Sequence, residues 1–340
     1  MKTIKVEDSV GMVLCHDITK IVPGEFKGRA FKKGHIIRDE DIPVLLSLGK
    51  DHIYVWDMDS NDVHENEAGI RLAQAVRGAG VSLTEPSEGK VQLIAEYDGM
   101  ITIDEDLLYQ INLIDDMVVG TRNNYRPVKK GDVVAGVRVI PLMIDNEKLK
   151  QAEEIAKGKD VISILPFKEH KVGIVVTGNE VYYGRIKDRF SPVIRKKVED
   201  YGSEVIGEIT VPDDADQIAA AINKLIAQGA NLILASGGMS VDPDDVTPSS
   251  IRQTGADIIS YGAPVLPGAM MLVAYLSEIP ILGLPGCVMY HKTTIFDLLL
   301  PFVMSGEKIT RPMIARLGLG GLCLNCEECR YPKCSFGTGF

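Results

Sequence analysis

From Val172 to about residue 305 the chain alternates short apolar runs with amphipathic segments, and the apolar runs tend to end in glycine- or acid-bearing turns. No other feature restricts the fold as much. Strand and helix repeated in this order bury both apolar faces only when the strands lie side by side and the helices cover the sheet. The spacing predicts strands at Val172 to Val176, Glu204 to Val211, Asn231 to Ala235, Asp257 to Tyr261, Met270 to Leu276 and Pro280 to Leu284. It predicts helices at Pro192 to Tyr201, Asp213 to Gln228, Thr247 to Gln253 and Met289 to Met304. In the second of these, Ile218, Ala221, Ile222 and Leu225 share one face behind an acidic first turn. The expected fold is α/β, a three-layer, mostly parallel sheet over residues 168 to 305, with ligands bound at the C-terminal strand ends.

The 340 residues leave room for further units. Residues 1 to 60 carry short apolar pieces broken by glycine, such as His52-Ile53-Tyr54-Val55, around one short helix between Asp39 and Gly49, and read as a β-rich unit. Residues 61 to 150 read as a helix around Ala68 to Arg77 followed by a small barrel or sandwich. Its strands fall at Lys90 to Glu96, Met100 to Ile103, Met117 to Gly120 and Asp132 to Ile140. A helix from Asn146 to Lys157 links it to the α/β domain. Both small domains are expected to be β-rich. Trp56 reads as an anchor at the end of the first.

A net charge of −10 repels phosphate backbones, so nucleic-acid binding is not expected. A small anion is not excluded, because backbone N–H groups attract anions whatever the global charge. The N-terminus lacks an apolar core of the secretory kind, and the longest apolar candidate, Met270 to Tyr290, is broken by Glu278, Pro280 and Pro285. No membrane partner is expected, and the location reads as cytoplasmic, which disfavours structural disulfides.

Chemistry is concentrated in four loops at the predicted strand ends: Thr177-Gly178-Asn179-Glu180, Ser236-Gly237-Gly238-Met239-Ser240 through Asp245-Val246-Thr247, Pro267-Gly268, and Gly283-Leu284-Pro285-Gly286. Any one of them alone would be an ordinary turn. Together at one sheet edge, paired glycines let the backbone approach an oxyanion, with the hydroxyls of Thr177, Ser236 and Ser240 as added donors. Glu180, Asp213, Asp214, Asp242, Asp244 and Asp245 fall near the same rim, and acids beside a phosphate cradle suggest Mg²⁺.

These ordered motifs resemble the molybdopterin-binding domain shared by MoeA-type molybdopterin molybdenumtransferases and MogA/MoaB-type adenylyltransferases. The preceding β-rich segments look like the MoeA type. The resemblance implies a homodimer that binds molybdopterin or its adenylate and inserts molybdate, with Mg²⁺ present and AMP released. By motif position, Glu180, Asp213 and Asp245 would be the catalytic acids. Ser236, Gly237, Gly238 and Ser240 would hold the terminal phosphate and pterin side, with Thr177, Gly178, Thr247, Pro267, Gly268, Pro285 and Gly286 completing the pocket.

The chain departs from the family pattern at several positions. Leu266 and Ala269 stand where lysines usually flank the Pro-Gly pair, with Lys292 as a candidate substitute. Cys287-Val288-Met289-Tyr290 replaces Asn-Pro-x-Ser, Phe190 replaces an asparagine, and the family's acidic Asp-Gly motif is missing from the N-terminal segment, which has Pro23-Gly24-Glu25-Phe26 in that vicinity. The alternative reading is therefore a non-catalytic carrier or insertion chaperone that passes the cofactor to a molybdoenzyme. A hydrolase of another pyrophosphate or nucleotide is a third reading.

Four of the six cysteines fall in the last eighteen residues. Cys323, Cys326, Cys329 and Cys334, spaced C-x₂-C-x₂-C-x₄-C, have metal-ligand spacing, and zinc or an iron–sulfur cluster fits equally well. Cys15 and Cys287 lie in apolar contexts that read as buried. His291 reads as a residue at the start of the last helix. The basic run Arg185, Lys187, Arg189, Arg195, Lys196, Lys197 reads as a mainly solvated face that can also steer an anion.

Overall fold

Six strands form the main sheet of the computed structural model, which describes residues 2–22, 26–55, 61–240, 242 and 245–339. Pro23-Gly24-Glu25, Trp56 and Asp244 lie outside the described residues. The strands are β1 (Lys171–Thr177), β2 (Glu204–Val211), β3 (Leu232–Ser236), β4 (Asp257–Tyr261), β5 (Leu272–Leu276) and β6 (Ile279–Leu284), in the order β2-β1-β3-β6-β5-β4. Neighbours from β2 to β6 pair parallel, while β5 is antiparallel to both β6 and β4. The reversal follows from the connection: only Ser277 and Glu278 separate β5 from β6, which is hairpin length, and Ser277 takes φ 55°. The other connections are long enough for crossovers. As a result, the segment between β4 and β5 starts at the same edge as the ends of β1, β2, β3 and β6.

Six helices accompany this sheet: α1 (Asn179–Tyr182), α2 (Phe190–Glu199), α3 (Ala215–Ala227), α4 (Thr247–Gln253), α5 (Ile295–Ser305) and α6 (Arg311–Arg316). Alternation along the strands sends side chains to two cores. Val172, Ile174 and Val176 pack with Ile194 and Val198 of α2 and with Phe296, Leu299 and Phe302 of α5. Val175, Ile233 and Ala235 pack with Ile218, Ile222 and Leu225 of α3 and Ile251 of α4. Helix α3 starts where Asp214 accepts from Gln217 N at 2.9 Å.

The last long helix begins later than the periodicity predicts. Gly286–Met289 is one tight 3₁₀ turn, and α5 starts at Ile295 because Thr294 and Asp297 form a capping box. His291 therefore lies in the connecting turn and not at the helix start. Helix α5 is buried on every side and ends at Gly306 in the left-handed conformation.

Contacts divide the chain into two units. The first comprises Met1–Ile94, Asp104–Thr121 and Val133–Ile162, the second Ala95–Ile103, Arg122–Asp132 and Ser163–Phe340. In the first unit, Lys2–Lys5 pairs with His52–Val55 and Ile18–Val22 with Phe26–Phe31, both antiparallel. Val6, Leu14, Ile18, Ile37, Leu45, Ile53 and Val55 form a small core there. A four-stranded sheet follows in the order Val81–Leu83, Val91–Ala95, Val133–Val139, Met117–Thr121. The accompanying helices are Glu65–Val76, Glu105–Asn112 and Asn146–Ala156. In the second unit, Pro127–Val128, Gly99–Ile103 and Ile162–Pro166, whose first residue is shared with the first unit, form a three-stranded sheet. No described helix is long and apolar enough to cross a membrane.

Candidate ligand groove

Two of the four predicted loops are knotted together at the sheet edge. After β3, Gly237 and Gly238 take φ 93° and 55°. A Cβ on Gly237 would run into the Thr177 carbonyl, and one on Gly238 would lie 2.7 Å from Thr247 Oγ1. Only glycine lets the two backbones approach this closely. Thr247 Oγ1 donates to Gly237 O at 2.9 Å, which leaves it as acceptor for Thr177 Oγ1 at 3.2 Å. Both threonines are buried. Their hydroxyl protons hold the loops together and are not offered to a ligand, unlike the role predicted for Thr177.

The flanking acids are also engaged with backbone. Asp213 Oδ2 accepts from Asn179 N at 2.9 Å and so fixes the first turn of α1 to the end of β2. Asp245 Oδ2 accepts from Asp242 N at 2.9 Å, while Asp245 N donates to Asp242 O at 3.0 Å. Tyr261, from the end of β4, donates to Met239 O and Ser240 O at 3.0 and 3.1 Å. Burial, then the Asp245 carboxylate, raises the Tyr261 phenol pKa, so it stays protonated as a donor.

These loops open on a groove of about 1180 Å³. Thr177, Gly178, Gly237 and Gly238 line it, as do the acids Glu180, Asp213, Asp242 and Asp245. Arg185, Lys187 and Arg189, on the segment between α1 and α2, line it too. The basic run thus divides. Arg195, Lys196 and Lys197 pair with Glu208, Asp200 and Asp297, whereas the three groove cations make no ion pair among the described residues. The Arg185 guanidinium lies 5.4 Å from the centre of the Tyr183 ring. Met289, Tyr290 and Phe190 add apolar wall.

Other predicted residues lie elsewhere. Ser236 is fully buried with its hydroxyl unpartnered, and Ser240 is exposed outside the groove lining. Pro285 and Gly286 start the 3₁₀ turn that carries Met289 and Tyr290 to the groove, without lining it themselves. Pro267 and Gly268 are turned toward α5 and the tail. Ile295 N donates to Pro267 O at 3.2 Å, Leu266 N to Gly321 O at 2.8 Å and Cys323 N to Leu266 O at 2.8 Å. Lys292 lines a second cavity, described below, and not the groove.

No three or more His, Cys, Asp or Glu side chains among the described residues are gathered to hold a metal ion. The groove acids therefore suit Mg²⁺ only in its usual substrate-borne mode, with one or two carboxylates joining ligand phosphates and water. The four tail cysteines are reduced, with Cys323 and Cys334 half-buried and Cys326 and Cys329 exposed.

Glycine turns, acids and cations without ion-pair partners among the described residues thus surround one groove at the strand ends of a mostly parallel α/β sheet, the edge where such sheets hold ligands. Sequence comparison narrows the class. Residues 173–305 match the family profile "Probable molybdopterin binding domain", and residues 3–57 match a domain of unknown function. The molybdopterin molybdenumtransferase of Synechococcus elongatus is 28% identical over 144 residues, 39% of this chain and 36% of that protein. A CinA-like protein of Mycobacterium sp. (strain MCS) is 37% identical over 90 residues, 26% of this chain and 21% of that protein. The chain thus spans about a third or less of the length of these relatives.

Among solved structures, the molybdopterin biosynthesis enzyme MoaB from Thermus thermophilus aligns with 20% identity over 41% of this chain and 98% of that one, at TM-score 0.33. A molybdopterin biosynthesis MoeA protein from Pyrococcus horikosii aligns with 13% identity over 89% and 74%, at TM-score 0.34. Residues 173–305 are thus similar to the molybdopterin-binding domain found in proteins of molybdenum cofactor biosynthesis.

Proposed function

We propose that the groove holds the phosphate end of molybdopterin or of adenylated molybdopterin, and that the protein inserts molybdate into it with Mg²⁺ present, releasing AMP when the bound form is the adenylate. One observation carries this reading: the knotted glycine turns share a groove with Arg185, Lys187 and Arg189, three cations without carboxylate partners among the described residues. Backbone N–H groups of the turns and these side chains would hold phosphate oxygens. Mg²⁺ would be shared between the phosphates and one or two of Glu180, Asp213 and Asp245, and would supply charge neutralisation in phosphoanhydride cleavage. The same carboxylates would orient the attacking water. A cytoplasmic homodimer is part of the proposal.

A second reading, a carrier or insertion chaperone that hands the cofactor to a molybdoenzyme, is favoured by one observation. The loop where the family places lysines has Leu266 and Ala269, and its backbone is paired with the tail, away from the groove. Anaerobic titration with molybdopterin, its adenylate, AMP and pyrophosphate tests the shared binding claim. The pterin forms should bind at least tenfold tighter than AMP, and equal affinities would overturn it. Product analysis after adding molybdate and Mg²⁺ then separates the readings. AMP and finished cofactor mark the transferase, whereas retained, unchanged adenylate marks the carrier.

A further inference from the structure

The tail contains a feature that pterin binding does not use. Cys323, Cys326, Cys329 and Cys334 all line one cavity of about 210 Å³, together with His291, Lys292 and Arg330. The backbone around them is pinned at several points. Cys323 N donates to Leu266 O, Tyr331 Oη to Asp297 O at 2.8 Å, and Gly337 N to Gly320 O at 2.8 Å. Arg126 donates to Phe336 O, and Phe336 is buried in the α5 core. Between these anchors the arc 324–330 buries nothing. Leu324 is 76% exposed, and Cys326, Glu327, Glu328, Cys329 and Arg330 are all exposed. An arc without apolar burial has no packing reason to hold one shape. A ligand bonded to its side chains would supply one.

We propose that Cys323, Cys326, Cys329 and Cys334 form a tetrathiolate site for one thiophilic metal centre, either a zinc ion or an iron–sulfur cluster. Two half-buried thiols on the pinned flanks form the base, and the exposed arc carries the other two over it. Lys292 and Arg330 face the same cavity without ion-pair partners among the described residues, and their charge offsets the surplus of four thiolates. In this structure the sulfurs are not gathered at ligand distance, and Cys329 Sγ lies 3.1 Å from Thr293 Oγ1. Binding would draw the arc inward. The step is an exchange without electron transfer: four S–H bonds release protons to solvent, four metal–sulfur bonds form, and the previous ligands of the zinc ion, or of a cluster transferred already assembled, leave. Tyr290, which is 81% exposed, lines both this cavity and the groove, so the centre would sit beside the pterin site.

The test uses the full chain purified under nitrogen, and its readout involves no pterin, so the result is independent of the function proposed for the groove. Zinc, iron and acid-labile sulfide are measured per chain. The metal-free chain is then titrated with zinc and, separately, with a preformed iron–sulfur cluster carried on small thiolate ligands. About one zinc per chain identifies the ion, and iron with sulfide and broad visible absorption identifies the cluster. Cys326→Ser and Cys329→Ser, at exposed positions that leave the core intact, should each weaken uptake at least tenfold, while Cys287→Ser should retain it. Failure of the metal-free chain to take up either species, or full uptake by the Cys326→Ser/Cys329→Ser double variant, would overturn the proposal.

Discussion

Replacing Gly237 with alanine tests the physical basis of the groove directly. At φ 93° an L-residue costs about 1–2 kcal/mol for backbone strain. The new methyl also runs into the Thr177 carbonyl, and forcing an atom into a packed site costs about 1–3 kcal/mol. The sum is about 2–5 kcal/mol. For a domain of this size that corresponds to a fall in Tm of about 4–20 °C, at about 2–4 °C per kcal/mol. Gly238→Ala is the internal control. Its φ of 55° carries left-handed strain at the lower end of about 1–2 kcal/mol, and its nearest obstacle is the Thr247 hydroxyl, a side chain that can turn aside at the cost of its two hydrogen bonds, about 0.5–1.5 kcal/mol each. Calorimetry should therefore rank Gly237→Ala as the more damaging. Because its collision is with main chain, Thr177→Ala should not rescue it. A loss below about 1 kcal/mol for Gly237→Ala, a reversed ranking, or rescue by Thr177→Ala would refute the claim that backbone contact between the loops builds the groove.

Ser236→Ala should leave stability unchanged or raise it by up to about 1 kcal/mol, because the buried hydroxyl has no partner to lose; denaturant titration reads this. Asp297→Ala should cost about 3–5 kcal/mol in the same assay. It strands the nearly buried Lys197 ammonium and removes the acceptor for Thr294 N, and a loss under about 1 kcal/mol would contradict the pairing. Neutralising Arg185, Lys187 and Arg189 together should flatten the salt dependence of pyrophosphate binding. An unchanged salt slope would remove these cations from the site. His64 accepts from Asn66 N at Nδ1 and lies 2.9 Å from Cys15 O through Nε2, an arrangement that requires the neutral ring. Burial, then the Lys33 charge, lowers its pKa below the usual histidine value. Its contribution is complete above about pH 6.5 and is lost as pH falls toward the folded-state pKa. Calorimetry across this range should show the first unit's Tm falling with acidification, and His64→Gln should make that fall shallower.

Segments with strong local signals were legible in the sequence. Helix α4 and strand β4 have the predicted bounds, and α3 differs by two residues at its start and one at its end. The helix Glu105–Asn112 was missed although Asp104 caps it, accepting from Leu107 N at 3.0 Å, because its acidic first turn reads as an inter-strand loop. The hairpin Ile18–Val22 with Phe26–Phe31 was also missed, its alternation being interrupted by lysines and glycine. Strand Ile162–Pro166 was missed because it joins segments more than thirty residues earlier in the chain, which no local window contains. The late start of α5 had a readable signal in Thr294-x-x-Asp297, overridden by the apolar run before it. For the site, the loops were visible but not their division of labour. Six cations fall between Arg185 and Lys197, and only the folded chain brings Glu208 and Asp297, 13 and 100 residues away in sequence from their partners, to quench some of them.

That division also bears on how an acidic chain could hold an anion. Net charge acts over long distances and is screened, whereas an oxyanion responds to the donors that touch it. Here the Leu266 backbone is paired on both sides with the tail, through Gly321 and Cys323, so the Pro267-Gly268 turn belongs to the tail's side of the fold. Lysines at positions 266 and 269 would then be tethered to a turn that does not line the groove. Cations on the segment between α1 and α2 face it instead, beside the glycine turns. With the Pro-Gly loop paired to the tail, the countercharge for the anion proposed above would come from another loop at the same sheet edge, where Arg185, Lys187 and Arg189 line the groove.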